Sequence, residues 1–258
     1  MAAPGIRNQP HSHLAASVLI GLDRPFTLGI EGQDEQQIDA AVVAPNVEQH
    51  LDSSGGTMLV LHVDPDLPHY RSLSPRLRGR TVQALDASVF HDLRNTLREA
   101  LSRRMNCDEA CRLFDDVLTR IRGEAPAAKP LDERVAHIVR YLRRDLPEKI
   151  DPAALAAEAG LSKSRLMHLF KAELGTSMCR FALCLRLQEA ARQYRSGMSM
   201  TTVAHSAGFY DLSHMVQAGR AYAGYAPSAL QSMLTDGSEL HVYSCADCDL
   251  PETAAKVT

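Results

Sequence analysis

The 258-residue chain has no tryptophan, and aromatic residues make up only 5% of it. Cores dominated by large rings are therefore not expected. The 45% of hydrophobic residues, rich in Ala and Leu, predicts aliphatic cores and favours helices over a large sandwich. Long apolar runs are also missing. Nothing approaches the roughly 18 apolar residues that a membrane span needs. The opening MAAPGIRNQPHSHL lacks the basic-then-apolar order of a secretory signal, so no membrane partner and a cytoplasmic location are expected. The chain has no GxGxxG or GxxxxGKS/T string to cradle phosphate, no nucleophile elbow and no HExxH helix; no enzyme, catalytic residue or cofactor is expected. The six cysteines, Cys107, Cys111, Cys179, Cys184, Cys245 and Cys248, follow no small-domain disulfide framework and are expected to stay reduced.

The net charge of -3 argues against a nucleic-acid partner only until it is divided by region. Between Leu131 and Leu230 there are 13 Lys and Arg against 9 Asp and Glu, a balance of +4, which leaves -7 for the rest. A mildly basic module joined to an acidic one fits a DNA reader with a separate sensing or assembly part.

Short apolar runs come first. ASVLIGL, FTLGI, DAAVVAP and TMLVLHV read as strands separated by DRP, EGQDEQQ and LDSSGG, and their tight connections imply antiparallel pairing. Near Asp86 the period changes. In LDASVFHDLRNTLREAL, Val89, Leu93, Leu97 and Leu101 recur every four residues and predict one helix. Asn106 can cap a second, ending at Gly123, with Leu113, Val117, Leu118 and Ile121 inward. Either stripe could pack on the sheet or serve a homodimer. GEAPAAKP has neither periodicity nor bulk, so the domains are drawn as 1–123, a linker 124–130, 131–232, and an acidic tail 233–258 with a short strand at Leu240–Tyr243.

After the linker, Asp132 opens a helix whose inward face is Val135, Ile138, Val139 and Leu142. Asp151 caps the next, with Pro152 in its first turn and Gly160 at its end; Ser162 then caps KSRLMHLFKAEL, which stops at Gly175. Helix, glycine turn, helix is the arrangement in which the second helix can enter a major groove. Leu155, Ala156, Leu161, Leu166, Leu169 and Phe170 point inward. Lys163, Ser164, Arg165 and His168 are left for DNA bases and Lys171 for phosphate. A long helix, MCRFALCLRLQEAARQYR, leads to a second unit in which Ser199 opens a short helix ending at Ala207-Gly208. Asp211 caps the reading helix, which presents Tyr210, Asp211, Leu212, Ser213, His214 and Gln217. Arg143, Arg144, Arg192 and Arg195 could contact phosphate or form a solvated face.

Three stretches, DPAALAAEAGLSKSRLMHLFKAELGTS, LRLQEAARQY and VAHSAGFYDLSHMVQAGRAYAGYAPSAL, together resemble the AraC/XylS family of bacterial regulators over roughly Leu131 to Leu230. The resemblance places Arg186 and Leu187 in the linking helix, Gly208 and Phe209 in the second turn, and Pro227 and Ser228 at the close. It departs at His168, where Arg is usual, and near Met178, where Pro is usual. It departs again at Met215, Gly219 and Ala223, where aromatics are usual, and at Gln217, where a basic residue is common. Those changes predict that the first unit supplies most of the specific contact, with the second degraded, specialised or held up by the tail.

The resemblance implies an α+β chain: an N-terminal small cupin-like β-barrel or sheet with helices, and a C-terminal all-α double helix-turn-helix domain. It also implies a transcriptional regulator that binds double-stranded promoter DNA as a homodimer, with RNA polymerase and a small-molecule effector as further partners. Alternatives are an interaction or anti-regulatory module that has lost DNA binding, and a metal- or thiol-responsive regulator. For the last, His11, His13, His50 and His62 are the tempting set, but His11 and His13 lie in a polar stretch expected to fray. Cys107 and Cys111 share a helix face, and Cys245 and Cys248 have CxxC spacing without a second pair. No metal site is expected from these.

Overall fold

The computed structural model describes residues 2–4, 6–53, 55–77, 79–102, 105–123, 130–194 and 198–223. The expected linker, apart from Pro130, lies outside the described residues. So do Arg195, Pro227, Ser228 and the tail with Cys245 and Cys248.

The N-terminal half contains strands β1 (Ala2–Pro4), β2 (His11–Ser12), β3 (Ala16–Gly21), β4 (Phe26–Ile30), β5 (Gln36–Ile38), β6 (Ala40–Val43), β7 (Glu48–Asp52), β8 (Thr57–Val63) and β9 (Val82–Leu85). They form two antiparallel sheets, a five-stranded one in the order β1-β8-β3-β6-β9 and a four-stranded one in the order β2-β7-β4-β5. The expectation of a cupin-like barrel is overturned: no strand of one sheet pairs with a strand of the other among the described residues, and both sheets keep open edges. The physical reason lies in the strands. A two-residue β2 cannot carry the stagger that closure needs, and β5 offers exposed Gln36 and Gln37 at its edge.

The central strands are buried on both faces, which is why they read as continuous apolar runs. On one face Leu19, Phe26, Leu28, Ala41, Val43, Met58 and Val60 fill the space between the sheets. On the other, Val18, Ile20, Val42, Leu59 and Val63 meet the helices α1 (Pro68–Leu77), α2 (Arg94–Ser102) and α3 (Cys107–Arg122) through Leu73, Leu97, Leu113, Val117 and Ile121. Asn106 caps α3 with a full capping box: its side chain accepts from Glu109 N at 2.9 Å, and Glu109 accepts from Asn106 N at 3.0 Å. The single helix expected after Asp86 is instead a 3-10 segment, Ala87–Leu93, followed by α2. Its three-residue turn aligns Phe90 with Leu93, both buried against the sheet.

The C-terminal half is helical: α4 (Glu133–Asp145), α5 (Pro152–Glu158), α6 (Lys163–Leu174), α7 (Met178–Tyr194), α8 (Met200–Ser206) and α9 (Leu212–Ala223). Asp132, Asp151, Ser162 and Ser199 cap their helices as the sequence predicts. Among the described residues no helix is long and apolar enough to cross a membrane.

Candidate nucleic-acid interface

The first unit is α5 and α6. Leu155, Ala156, Leu166 and Phe170 are buried, Leu161 and Leu169 partly so, and the small Ala156 lets the helices approach. Phe170 meets Phe181 of α7 edge-on, with ring centroids 5.8 Å apart, which pins the reading helix to the linking helix. Ser162 Oγ accepts from Arg165 N at 3.3 Å and fixes the start of α6. Lys163, Ser164, Arg165, His168 and Lys171 are all exposed, on the side away from the core. Among the described residues no acid pairs with Lys163, Arg165 or Lys171, so three cations stand uncompensated on one helix.

Met167, absent from the sequence-predicted set, shares this face and is 48% exposed. A helical wheel hides it, since Met167 falls only about 20° from buried Leu174; its neighbours four residues away, Lys163 and Lys171, are the signal that could have found it.

The second unit is α8 and α9, packed through Val203, Ala204, Ala207, Phe209 and Met215. Tyr210, Ser213, His214 and Gln217 are exposed, Tyr210 most of all at 86%. His214 N donates to Asp211 Oδ1 at 2.7 Å, and its ring stands edge-on to Phe209. Gly208 has a φ of 78°, and a Cβ there would lie 3.1 Å from Arg186 Nε. Arg186 in turn donates to the carbonyls of Pro147 and Glu148, at 3.0 and 2.6 Å, so one side chain ties the second turn to the end of α4. α9 runs through Gly219 without a break.

Arg143, Arg144 and Arg192, also weighed as phosphate contacts, have partners. Arg144 pairs with Asp145, Arg192 with Glu189, and Arg143 with Asp64 and Asp66 of the N-terminal half at 2.9 and 2.7 Å. Burial alone would lower the Arg143 pKa, but the hydrogen bonds and charges of Asp66 and Asp64 outweigh it and raise it. A second tie joins Arg71 to Glu173 at 3.0 Å.

The histidines behave differently from expectation. His11 and His13 do not fray: β2 pairs with β7, α9 packs on β2, and both rings are buried. His11 Nε2 lies 2.8 Å from His13 Nε2, and the His13 ring lies against His62, with centroids 4.2 Å apart. Desolvation lowers the pKa of all three, that of His62 to about 3. His50 stands apart, bonded to Glu35 and seated over Gly29. Among the described residues no three His, Cys, Asp or Glu side chains are arranged to hold a metal ion. Burial pushes the Cys184 thiol up to about 12, which leaves it unreactive.

Two helix-turn-helix units on one rigid linking helix, the first with unpaired cations on its reading face, define a DNA-binding protein. Residues 155–233 match the family model described as a helix-turn-helix domain. Among solved structures the chain is similar to an apo single-residue variant of ToxT from Vibrio cholerae strain SCE256, with 12% identity and a TM-score of 0.62 over 91% of this chain and 97% of that one. ToxT from Vibrio cholerae O395 gives 12% identity and 0.60, over 91% and 96%. Unsaturated fatty acid bound wild-type ToxT from strain SCE256 gives 13% identity and 0.56, over 93% and 95%. At such identities the likeness establishes the fold of both halves together. No curated protein matches the sequence. Residues 155–233 are thus a helix-turn-helix domain, carried at the end of a chain whose whole fold is like that of the ToxT structures.

Proposed function

We propose that the two units read successive major-groove segments of a promoter. Lys163, Ser164, Arg165 and His168 meet base edges, Lys171 meets phosphate, and Tyr210, Ser213, His214 and Gln217 form the second contact. The observation that carries this reading is the set of uncompensated cations on the exposed face of α6. The N-terminal half, drawn as 1–123, would hold the protein as a cytoplasmic homodimer and answer an effector, while the DNA-bound form presents a surface to RNA polymerase. Selection of duplexes from a random library by the full chain at two salt concentrations tests the DNA reading. A shared motif with half-sites about 10 base pairs apart, and affinity falling steeply with salt, is expected. Absence of enrichment by folded protein at low salt would favour an interaction module instead.

On the selected site, Arg165→Ala should cost about 1–3 kcal/mol and relax sequence choice. Equal weakening on cognate and random duplex would reassign Arg165 to phosphate. Met167 has the chemistry to meet a thymine methyl, a contact worth about 0.8 kcal/mol. Replacing that thymine with deoxyuridine should therefore weaken the wild type a few-fold and leave Met167→Ala unchanged. Equal sensitivity in both proteins would remove Met167 from the reading face.

The effector reading has its own observation. An open groove of about 630 Å³ lies between α1 and α4, where Pro68, Leu131 and Ala136 supply apolar walls, Arg71 and Arg140 cations, and Asp66 and Glu133 carboxylates. Its volume suits a small molecule that touches both halves. Since the solved ToxT structures include one bound to unsaturated fatty acid, oleate is the first probe. It should raise the melting temperature of the wild type, and less that of Arg140→Ala. No shift in either protein would exclude this groove as a fatty-acid site.

A further inference from the structure

The second reading helix is poorly held by its own unit. Among the described side chains of α9 only Met215 is fully buried, with Leu212 and Ala218 partly buried beside it, and half of the cluster's buried residues are alanines, Ala190, Ala204 and Ala207. Gly219 brings no side chain to the remaining turns. What the helix has instead is Tyr222, seven residues beyond Met215 and so two turns along the same face. This ring packs edge-on to His13 of β2, with centroids 5.1 Å apart and an interplanar angle of 84°. It also packs against the core that contains α4, α6 and α7. Its hydroxyl lies close to the side chain of Gln188 on α7, and Gln188 Nε2 donates to Asp64 Oδ2 at 3.1 Å. Behind His13 stand His11 and His62.

α9 thus has two anchors, Met215 in its own unit and Tyr222 on the N-terminal sheet. Ser213, Gln217 and Arg220 occupy the opposite, exposed side of the helix, so they move as the anchors move. The anchors are about 10 Å apart along the axis, at roughly 1.5 Å per residue. With the far one released, a swing of about 20° carries that end about 3.5 Å, close to one base-pair step.

We propose that Tyr222 is a positioning residue, and that through its seat on His13 and Gln188 the N-terminal half sets the spacing between the two DNA contacts. The proposal rests on the DNA reading above. The support it names comes from β2 and α7; the tail, the support weighed from the sequence, lies outside the described residues.

The test uses the full chain and the duplex motif that the wild type selects, with one or two base pairs inserted or deleted between its halves. The wild type should bind one spacing about tenfold better than its neighbours. Tyr222→Ala should keep binding to the first half-site but flatten that preference to less than about threefold, while Tyr222→Phe, which keeps the ring against His13, should retain most of it. Gln188→Ala, at a side chain that is only half-buried, serves if Tyr222→Ala does not fold, and it should broaden the preference to an intermediate degree. Wild-type spacing preference in folded Tyr222→Ala, or in Gln188→Ala where that variant stands in, overturns the proposal. So does a uniform loss of affinity at every spacing, which marks a purely structural role. Failure of the wild type to select any motif would instead overturn the DNA reading itself.

Discussion

Arg143→Met should destabilise the folded chain by about 2–4 kcal/mol, the low part of the range for breaking a buried pair because the guanidinium keeps some contact with water. Arg143 donates from Nε to Asp66 Oδ2 at 2.7 Å and from Nη2 to Asp64 Oδ2 and Asp66 Oδ1, both at 2.9 Å. Asp66 is only 4% exposed and Asp64 16%, so removal of the cation leaves two neighbouring carboxylates poorly solvated and mutually repelling. Desolvation already raises the Asp64 pKa against the opposing pull of Arg143. The methionine keeps the apolar stem beside Phe181 and isolates the electrostatic loss. Denaturant midpoints measure it. The triple variant Arg143→Met, Asp64→Asn, Asp66→Asn should recover much of the stability, since the uncompensated charges are then gone. A loss under about 0.5 kcal/mol in the single variant would mean that water, and not the protein, screens these acids.

Arg143 also shows where reading the sequence stops. On the chain it looks like one of several arginines on a polar helix, open to phosphate or to water. Its partners lie 77 and 79 residues away, and nothing local announces them. What is local was legible: aspartate and serine caps, Pro152, the glycines that end α5 and α6, and the inward stripes of α4 and α6, because each is decided within a few residues.

The missed elements share a different property. β7 reads EQHLD, with Gln49 and Leu51 buried and polar residues between, so its alternation is hidden by the glutamine on the buried side. α1 reads PHYRSLSPRL; Pro75 lies within it, and its inward face is marked by Leu73 and Leu77 with a partly buried Tyr70. The strands of the central sheet were recognisable, but whether they close is a long-range question that their short, polar-edged neighbours decide. His11 and His13 looked like surface residues because α9, which covers them, begins about 200 residues later in the chain. The exposed positions of α6 were legible except for Met167, and for a physical reason: outward positions follow from the caps that fix the helix phase.

Acidification should unfold the protein by way of the same histidines that carry α9. The imidazoles of His11, His13 and His62 are held neutral by desolvation, with folded pKa values below the ordinary 6.5, about 3 for His62. Above pH 6.5 neither the folded nor the unfolded chain protonates them, and their full contribution is present. As the pH falls below 6.5 the unfolded chain takes up protons that the folded chain refuses, so stability is lost until the folded values are passed. Each such proton contributes a slope of up to about 1.4 kcal/mol per pH unit. Asp64 works in the opposite sense, but only near and below its raised carboxylate value, where it gains a proton on folding. Melting temperature between pH 8 and 4.5 should therefore be nearly level down to about 6.5 and then fall with growing steepness. His62→Gln should shallow the fall, and a level profile to pH 4.5 would mean that these rings are open to solvent in the folded chain.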